Sequence, residues 1–285
     1  MRKLKIALQK KGRLSEKSID LIRECGIELT NGARKLLSVS GNFPVELMYL
    51  RDDDIPGYVA DGVADIGIVG ENVVEEEQPE VIVLEKLGFA KCRMSLALPK
   101  SENYKDLSCL ENKKIATSYP SILNNYFQQQ NINAEIHQIS GSVEIAPAIG
   151  LADGIFDIVS SGSTLISNGL KEVETVTNSQ AILIANKNLP PEKRAITDRL
   201  IFRIRSSKQS KNNKYILLNA PNEKLDDIIN LIPGMKSPTI MPLADKDWSS
   251  LHSVLNENDF WEVIDQLKAY GAQGILVIPI EKMII

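Results

Sequence analysis

Short apolar runs alternate with helical periodicities through the first third of the chain. Runs at residues 4–8, 45–50 and 66–70 read as strands, and a helix is expected from about Ser15 to Cys25. In that helix Ile19, Ile22 and Cys25 fall on one stripe; Ser15 is placed to cap its start, and Gly26 to supply the left-handed residue that ends it. Such alternation predicts βαβ units around a largely parallel sheet. Further strands are expected at 81–87, 94–98, 115–118, 134–139, 155–159 and 181–185, with helical segments between several of them.

These strands are too many for one small sheet. The chain is therefore expected to be α/β with two lobes, residues 1–98 and 181–205 forming the first and 99–180 the second, and a cleft between such lobes suits a polar ligand. A segment without apolar residues follows, RSSKQSKNNK from Arg205 to Lys214, and reads as a linker. Beyond it the pattern gives a strand at 215–219, a helix at 223–231, strands at 239–243 and 251–255, a helix at 259–270 and a strand at 275–280. That βαββαβ order is the ferredoxin-like one, so residues 210–285 are expected to be a separate domain that regulates or assembles the protein.

Composition narrows the function. With 285 residues, 43% hydrophobic and 25% charged, the chain can close more than one core. A net charge of -4, from 33 basic and 37 acidic side chains, offers no basic field for a nucleic acid. Cys25, Cys92 and Cys109 are widely spaced and odd in number, which argues against a disulfide framework or a zinc site and for a reducing cytoplasm. The opening RKLKIALQKKGR is too short in its apolar part for a signal peptide, and no stretch approaches a membrane span. The only histidines are His137 and His252, each read as a surface or strand residue. Any chemistry must then rest on carboxylates, cations, hydroxyls and backbone amides.

Four constellations could supply it. In DIVSSGST, Asp157 to Thr164, an apolar strand ends in small hydroxyl residues around Gly162; Ser160, Ser161, Ser163 and Thr164 with their amides suit a phosphate, and Asp157 could accept hydrogen bonds from sugar hydroxyls. A strand running into a capped helix would give the same spacing. QKKGR places Lys10, Gly12 and Arg13 between the first strand and the first helix, which favours a polyphosphate or else is a solvated turn. RDDDIP and the following DGVADIGIVGEN put Arg51, Asp52 and Glu71 just past strand ends, where α/β proteins bind ligands, although such acids also cap helices. GSVEIAP, Gly141 to Pro147, is expected to start a helix, with Ser142 near its first turn and Glu144 suited to a cation or a hydroxyl.

Together these segments resemble the ATP phosphoribosyltransferase family, from QKKGRLSEKSIDLIRECGI through RDDDIPGYVADGVADIGIVGEN, KIATSYP, GSVEIAPAIGLADGIFDIVSSGSTLISNGL and SPTIMPLA to GILVIPIEKMI. The C-terminal module matches the long form of that family. The resemblance implies two periplasmic-binding-protein-like lobes and transfer of a phosphoribosyl group from phosphoribosyl pyrophosphate to N1 of ATP. It implies Mg²⁺ carried on the substrates' phosphates with no direct protein ligand, and assembly as dimers and hexamers. It further implies that DIVSSGST holds the 5-phosphoribosyl moiety, that QKKGR, RDDDIP and Tyr119 contact nucleotide and pyrophosphate, and that Asp157, Arg13 and Glu144 act in catalysis. Histidine is the implied inhibitor, with Ser237, Thr239 and Ala272 carried over to its site. One departure stands out: family members often have glycine where this chain has Ala90.

Because adenine N1 needs no proton removed, positioning and electrostatics suffice for such a transfer, and the shortage of histidine is no obstacle. Lys10 and Arg13 are assigned the pyrophosphate. Two rival readings are a non-catalytic two-lobed binding protein for an anionic metabolite and a phosphoribosyltransferase acting on another base.

Overall fold

The computed structural model describes residues 3–29 and 37–284; of the expected domains, residues 1–2, 30–36 and 285 lie outside the described part. In chain order the first elements are β1 (Leu4–Gln9), α1 (Arg13–Glu24), β2 (Leu37–Val39), β3 (Val45–Leu50), α2 (Ile55–Ala60), β4 (Ile66–Gly70), α3 (Glu71–Glu77), β5 (Val81–Lys86) and β6 (Cys92–Pro99). Then come β7 (Lys114–Thr117), α4 (Pro120–Gln130), β8 (Glu135–Gln138), β9 (Gly154–Val159), α5 (Ser163–Ser167), β10 (Leu170–Ser179), β11 (Ala181–Asn186) and α6 (Pro191–Lys211). The last are β12 (Asn213–Pro221), α7 (Leu225–Leu231), β13 (Thr239–Pro242), β14 (Trp248–Asn256), α8 (Glu257–Ala269) and β15 (Gln273–Pro279).

Among the described residues the strands form three sheets, and the chain divides into two compact units, residues 1–20 with 27–197 and residues 21–26 with 198–285. The first unit holds two sheets. One runs β2-β3-β1-β4-β11-β5, with β1 parallel to β3 and β4, and β2, β11 and β5 antiparallel to their neighbours. Its inner strands β4 and β11 read as continuous apolar runs and are buried almost throughout, as strands covered on both faces are. Ala7, Ile55, Val59, Val69, Val73, Ile182 and Ile184 pack together there. At Gly67 the helix α2 comes so close that an added Cβ would lie 2.7 Å from Ile55 Cγ2, so only glycine fits without displacement. Asp65, 5% exposed, is an acid sunk into this lobe's floor; Lys193 Nζ at 2.7 and 2.8 Å and the Lys5 amide at 2.8 Å satisfy it.

The second sheet runs β10-β6-β9-β7-β8, with β9, β7 and β8 parallel. It too is covered on both faces. Met94, Leu96, Phe156, Leu123 and Phe127 pack on one side, and Ala97, Ala116, Val143, Ile155, Val159 and Leu165 on the other. Truncating a fully buried ring such as Phe156 would cost about 3–5 kcal/mol.

In the second unit β13-β14-β12-β15 form an antiparallel sheet. Ile216, Leu218, Ala220 and Leu251 on its covered face pack with Ile228 of α7 and Phe260 and Leu267 of α8. With β12 and β14 in the centre and two helical crossovers, this is the ferredoxin-like arrangement read from the sequence.

Several sequence expectations are corrected. The strand Cys92–Pro99 belongs to the second sheet, so a lobe boundary at residue 98 falls on the wrong side of it. The expected linker from Arg205 is helical to Lys211: Ser206, Ser207 and Ser210 are buried, and their hydroxyls bond to Phe202 O, to the Glu24 carboxylate, and to Ser207 O and Glu281 O. Serines that return their hydroxyls to carbonyls act as small apolar residues, and a reading based on large side chains overlooks them. Helix α1 begins at Arg13, so Ser15 is a buried residue of its first turn and not its cap. The expected helix at Gly141 to Pro147 is a single 3₁₀ turn, Val143–Ile145. Strands β2 and β10 carry no prediction; β10 reads LKEVETVTNS, whose charged positions mask its β-branched ones.

A carboxylate-lined cavity at the strand ends

The carboxyl ends of the parallel strands in both sheets of the first unit meet at one cavity of about 450 Å³. From the second sheet come Ser118 and Tyr119 after β7, Gln138, Ser140, Gly141 and Ser142 after β8, and Asp157 near the end of β9. From the first come Asp52 and Asp53 after β3 and Val73, Glu76 and Glu77 of α3. Asp157 stands opposite Ser95 of β6, on the sheet face that Ile155 and Val159 bury. Its Oδ1 accepts from its neighbour's amide, Ile158 N, at 2.7 Å.

Burial raises the Asp157 carboxyl from 3.8 to about 6, with Glu144 adding repulsion and the Ile158 amide opposing the rise. Burial likewise pushes the Tyr119 hydroxyl above its usual range, helped by the charge of Asp157. Asp53 is raised as well, by burial and then by Asp52, Glu77 and Asp54, against a lowering by Arg51. The cavity is thus a field of crowded carboxylates that favours a bound cation or a ligand rich in hydroxyl donors.

Glu76 spans the cavity. Its two oxygens accept from Ser121 N at 2.8 Å and Ile122 N at 3.0 Å, the free amides at the start of α4, so a carboxylate on the first sheet's side caps a helix of the second. The two sheets are joined by chain crossings in which Leu87 N bonds to Ala181 O and Ala181 N to Phe89 O, both at 2.9 Å. There Ala90 takes φ +51°, a left-handed conformation that a side chain disfavours.

The structure separates the residues expected from sequence into four groups. Asp157, Tyr119 and Asp52 line the cavity, and Glu144 lies close enough to shift Asp157. Ser160, Ser161, Gly162, Ser163 and Thr164 form the loop directly after β9 and the start of α5, outside the cavity lining. There Gly162 has φ +79°, and the Ser161 and Ser163 hydroxyls pair at 3.0 Å. Lys10, Gly12 and Arg13 are exposed past the end of β1; the Lys10 amide bonds to Leu50 O at 2.8 Å, which sets QKKGR beside Arg51. Glu71, in the first turn of α3, pairs its carboxylate with Lys86 at 2.8 Å and lies outside the cavity lining.

Sequence reading missed Asp53, Glu76, Glu77, Ser118, Gln138 and Ser140 in the lining. The rule that polar residues after parallel strands converge would have found Ser118, Gln138 and Ser140 once β7 and β8 were known to be parallel neighbours. Nothing local announces Glu76, whose partners lie 45 and 46 residues away. Of the proposed effector residues, Thr239 opens β13 and Ser237 is exposed before it, whereas Ala272 lines a cavity of about 420 Å³ with Phe260, Trp261, Ile264 and Lys268. Strands β13 and β15 are opposite edges of the sheet, so one chain does not bring these residues together.

Fold and cavity define a two-lobed α/β protein of the periplasmic-binding-protein-like class carrying a ferredoxin-like C-terminal domain. Comparison with known proteins gives the rest. The family model described as ATP phosphoribosyltransferase matches residues 51–206, and that of the HisG C-terminal domain matches residues 210–282. The ATP phosphoribosyltransferase of Cytophaga hutchinsonii is 59% identical over 281 residues, covering 99% of this chain and 98% of that one. That of Bacteroides fragilis is 58% identical over 282 residues, covering 99% and 100%. Among solved structures, the ATP phosphoribosyl transferase (HisG:HisZ) complex of Thermotoga maritima matches with a TM-score of 0.60 at 28% identity, over 71% of this chain and 98% of that one. Tv2483 bound to L-arginine shares the fold at 12% identity, TM-score 0.52, over 74% and 86%. The chain belongs to the ATP phosphoribosyltransferase family, pentosyltransferases of histidine biosynthesis. No helix among the described residues is long and apolar enough to cross a membrane.

Proposed function

We propose that the chain transfers the phosphoribosyl group of phosphoribosyl pyrophosphate to N1 of the adenine of ATP, releasing pyrophosphate, in the cytoplasm as the committed step of histidine synthesis. The observation that carries this reading is Asp157: a half-buried carboxylate in the cavity, three residues before a loop of serine and threonine hydroxyls around a left-handed Gly162. A sugar with a terminal phosphate needs that pairing of hydroxyl acceptor and phosphate cradle. Asp157 accepts from the ribose hydroxyls, and the loop Ser160 to Thr164 holds the 5-phosphate.

Breaking the bond from C1 to pyrophosphate builds positive charge on the ribose and negative charge on the leaving group. Asp157 and Glu144 oppose the first, and Lys10 and Arg13, exposed beside Arg51, neutralise the second. Tyr119, half-buried at the start of α4 and kept protonated, offers a flat apolar face and a hydroxyl to the nucleotide. Holding both reactants at one cavity supplies the rest by orientation.

Mg²⁺ fits the donors present. Asp52, Asp53 and Glu77 give hard oxygen donors, while no group of three metal-ligating side chains is assembled among the described residues, so a divalent ion there would take most of its ligands from phosphate. When bound, Mg²⁺ neutralises charge on the departing pyrophosphate.

The C-terminal domain is the reading's regulatory part, with histidine as inhibitor. Because Thr239 and Ala272 sit at opposite sheet edges, a single histidine touching both needs two chains, which fits a homo-oligomer of dimers and hexamers. The assay is pyrophosphate release with phosphoribosyl pyrophosphate and Mg²⁺, run with ATP and with each other purine and pyrimidine base. Release with ATP alone supports the reading. Release with another base shifts the acceptor, and binding without release leaves a two-lobed binding protein.

A further inference from the structure

We infer that Arg93 is a positioning residue for the sugar-phosphate loop, acting through a clamp formed with Glu172 and Ser95. The inference rests on the proposed role of Ser160 to Thr164. Arg93 lies on β6, in register with Val159, the last residue of β9 before the loop begins. Its Nε and Nη2 donate to the two oxygens of Glu172 on β10, a fork-to-fork pair that fixes the guanidinium plane. The remaining nitrogen, Nη1, donates to the carbonyl oxygen of Ser160 at 3.3 Å.

Glu172 is itself held. Its Oε1 also accepts from Ser95 Oγ at 2.8 Å and Thr175 Oγ1 at 3.2 Å, and Ser95 is the residue across from Asp157. These donors, the Arg93 guanidinium first, keep the Glu172 carboxyl below the usual carboxylate range, and Glu172 in turn raises Arg93. The clamp thus ties three adjacent strands, β10, β6 and β9, at the point where β9 passes into the loop.

The consequence for the loop follows from peptide planarity. The C=O of Ser160 and the N–H of Ser161 belong to one rigid trans unit and point in opposite directions. Fixing the carbonyl towards Arg93 therefore fixes the Ser161 amide on the side away from Arg93. A phosphate-binding loop works only when its amides are already aimed, since turning a peptide unit at binding costs affinity. Arg93 aims the first of them without touching the donor.

The test uses the full-length protein. Arg93→Met, Arg93→Lys and the pair Arg93→Met with Glu172→Gln are compared with the wild type in phosphoribosyl pyrophosphate binding by calorimetry and in steady-state kinetics with both substrates. Arg93→Met should raise the donor's Kd and KM about tenfold, equivalent to ~1.4 kcal/mol, with kcat and the KM for ATP little changed. Arg93→Lys, which keeps the charge and loses the fork, should fall between. Adding Glu172→Gln should make matters no worse, because both changes dismantle one clamp. Equal losses for both substrates would assign Arg93 to the stability of the sheet, and unchanged donor affinity in a folded Arg93→Lys or Arg93→Met chain would overturn the inference outright. If the wild type itself fails to bind the donor, the reading of the loop fails with it; normal wild-type binding with indifferent variants removes Arg93 alone.

Discussion

Replacing Asp157 by asparagine should make the protein more stable and inactive at once. Each tenfold change in proton affinity is worth about 1.4 kcal/mol, so raising this carboxyl from 3.8 to about 6 makes its ionisation cost about 3 kcal/mol more in the folded chain than in the unfolded one. The sign follows from the direction of the rise. Above pH 6 the group is charged in both states and the folded state carries the full cost; between pH 6 and 4 the folded chain takes up the proton first and recovers stability. Asparagine has no such cost and retains an oxygen for the Ile158 amide. At pH 7.5 Asp157→Asn should therefore gain up to ~3 kcal/mol over the wild type, with the gap closing to about 0.5 kcal/mol at pH 4 and to nearly zero by about pH 3. Urea unfolding of both chains across that pH range measures it, following a probe in the first unit so that the C-terminal unit does not confuse the transition. Turnover should fall by two orders of magnitude or more in the variant, on the order of one lost charge contact at the reacting sugar. In the wild type it should fade as pH drops through about 6, when the carboxylate is lost. A variant that is no more stable than the wild type at pH 7.5, or one with a pH-independent gap, would refute the argument.

Three further outcomes can be checked. Glu76→Gln removes the charge that caps α4 from across the cavity and should cost about 1 kcal/mol in denaturant unfolding; an unchanged midpoint would show that the cap is idle. Ala90→Gly relieves a left-handed alanine, worth about 1–2 kcal/mol, against about 0.5–1 kcal/mol of added chain entropy, so a small net gain in stability is expected and a loss would mean the strain is absent. Thr239→Ala should weaken histidine binding about tenfold by calorimetry, and an unaltered Kd would move the effector away from β13.

The hydrophobic pattern made much of this fold legible. Runs such as Leu4–Gln9, Val45–Leu50 and Gly154–Val159 are buried strands flanked by turn residues, and their period leaves little choice. The C-terminal domain was equally plain, since each strand and helix there is bounded by a change of period. Elements whose burial depends on small polar groups were hidden. Ser206, Ser207 and Ser210 make one face of α6, and glutamates and threonines alternate through β10, so neither announces itself as apolar. The candidate site divides in the same way. Asp157 could be singled out because it interrupts an apolar strand just before a loop of small residues. Glu76, Asp53 and Glu77 are ordinary acids in sequence and become a site only when the two sheets face each other. The Ala90 departure, by contrast, gained its physical meaning from the backbone: φ +51° is where glycine is easiest to accommodate.

The most direct measurement is the position of bound phosphoribosyl pyrophosphate, determined crystallographically with Mg²⁺ present. The ribose hydroxyls should lie against Asp157, the 5-phosphate on the amides and hydroxyls of Ser160 to Thr164, and the pyrophosphate towards Lys10 and Arg13. A donor lodged elsewhere, with that loop and Asp157 untouched, would contradict it.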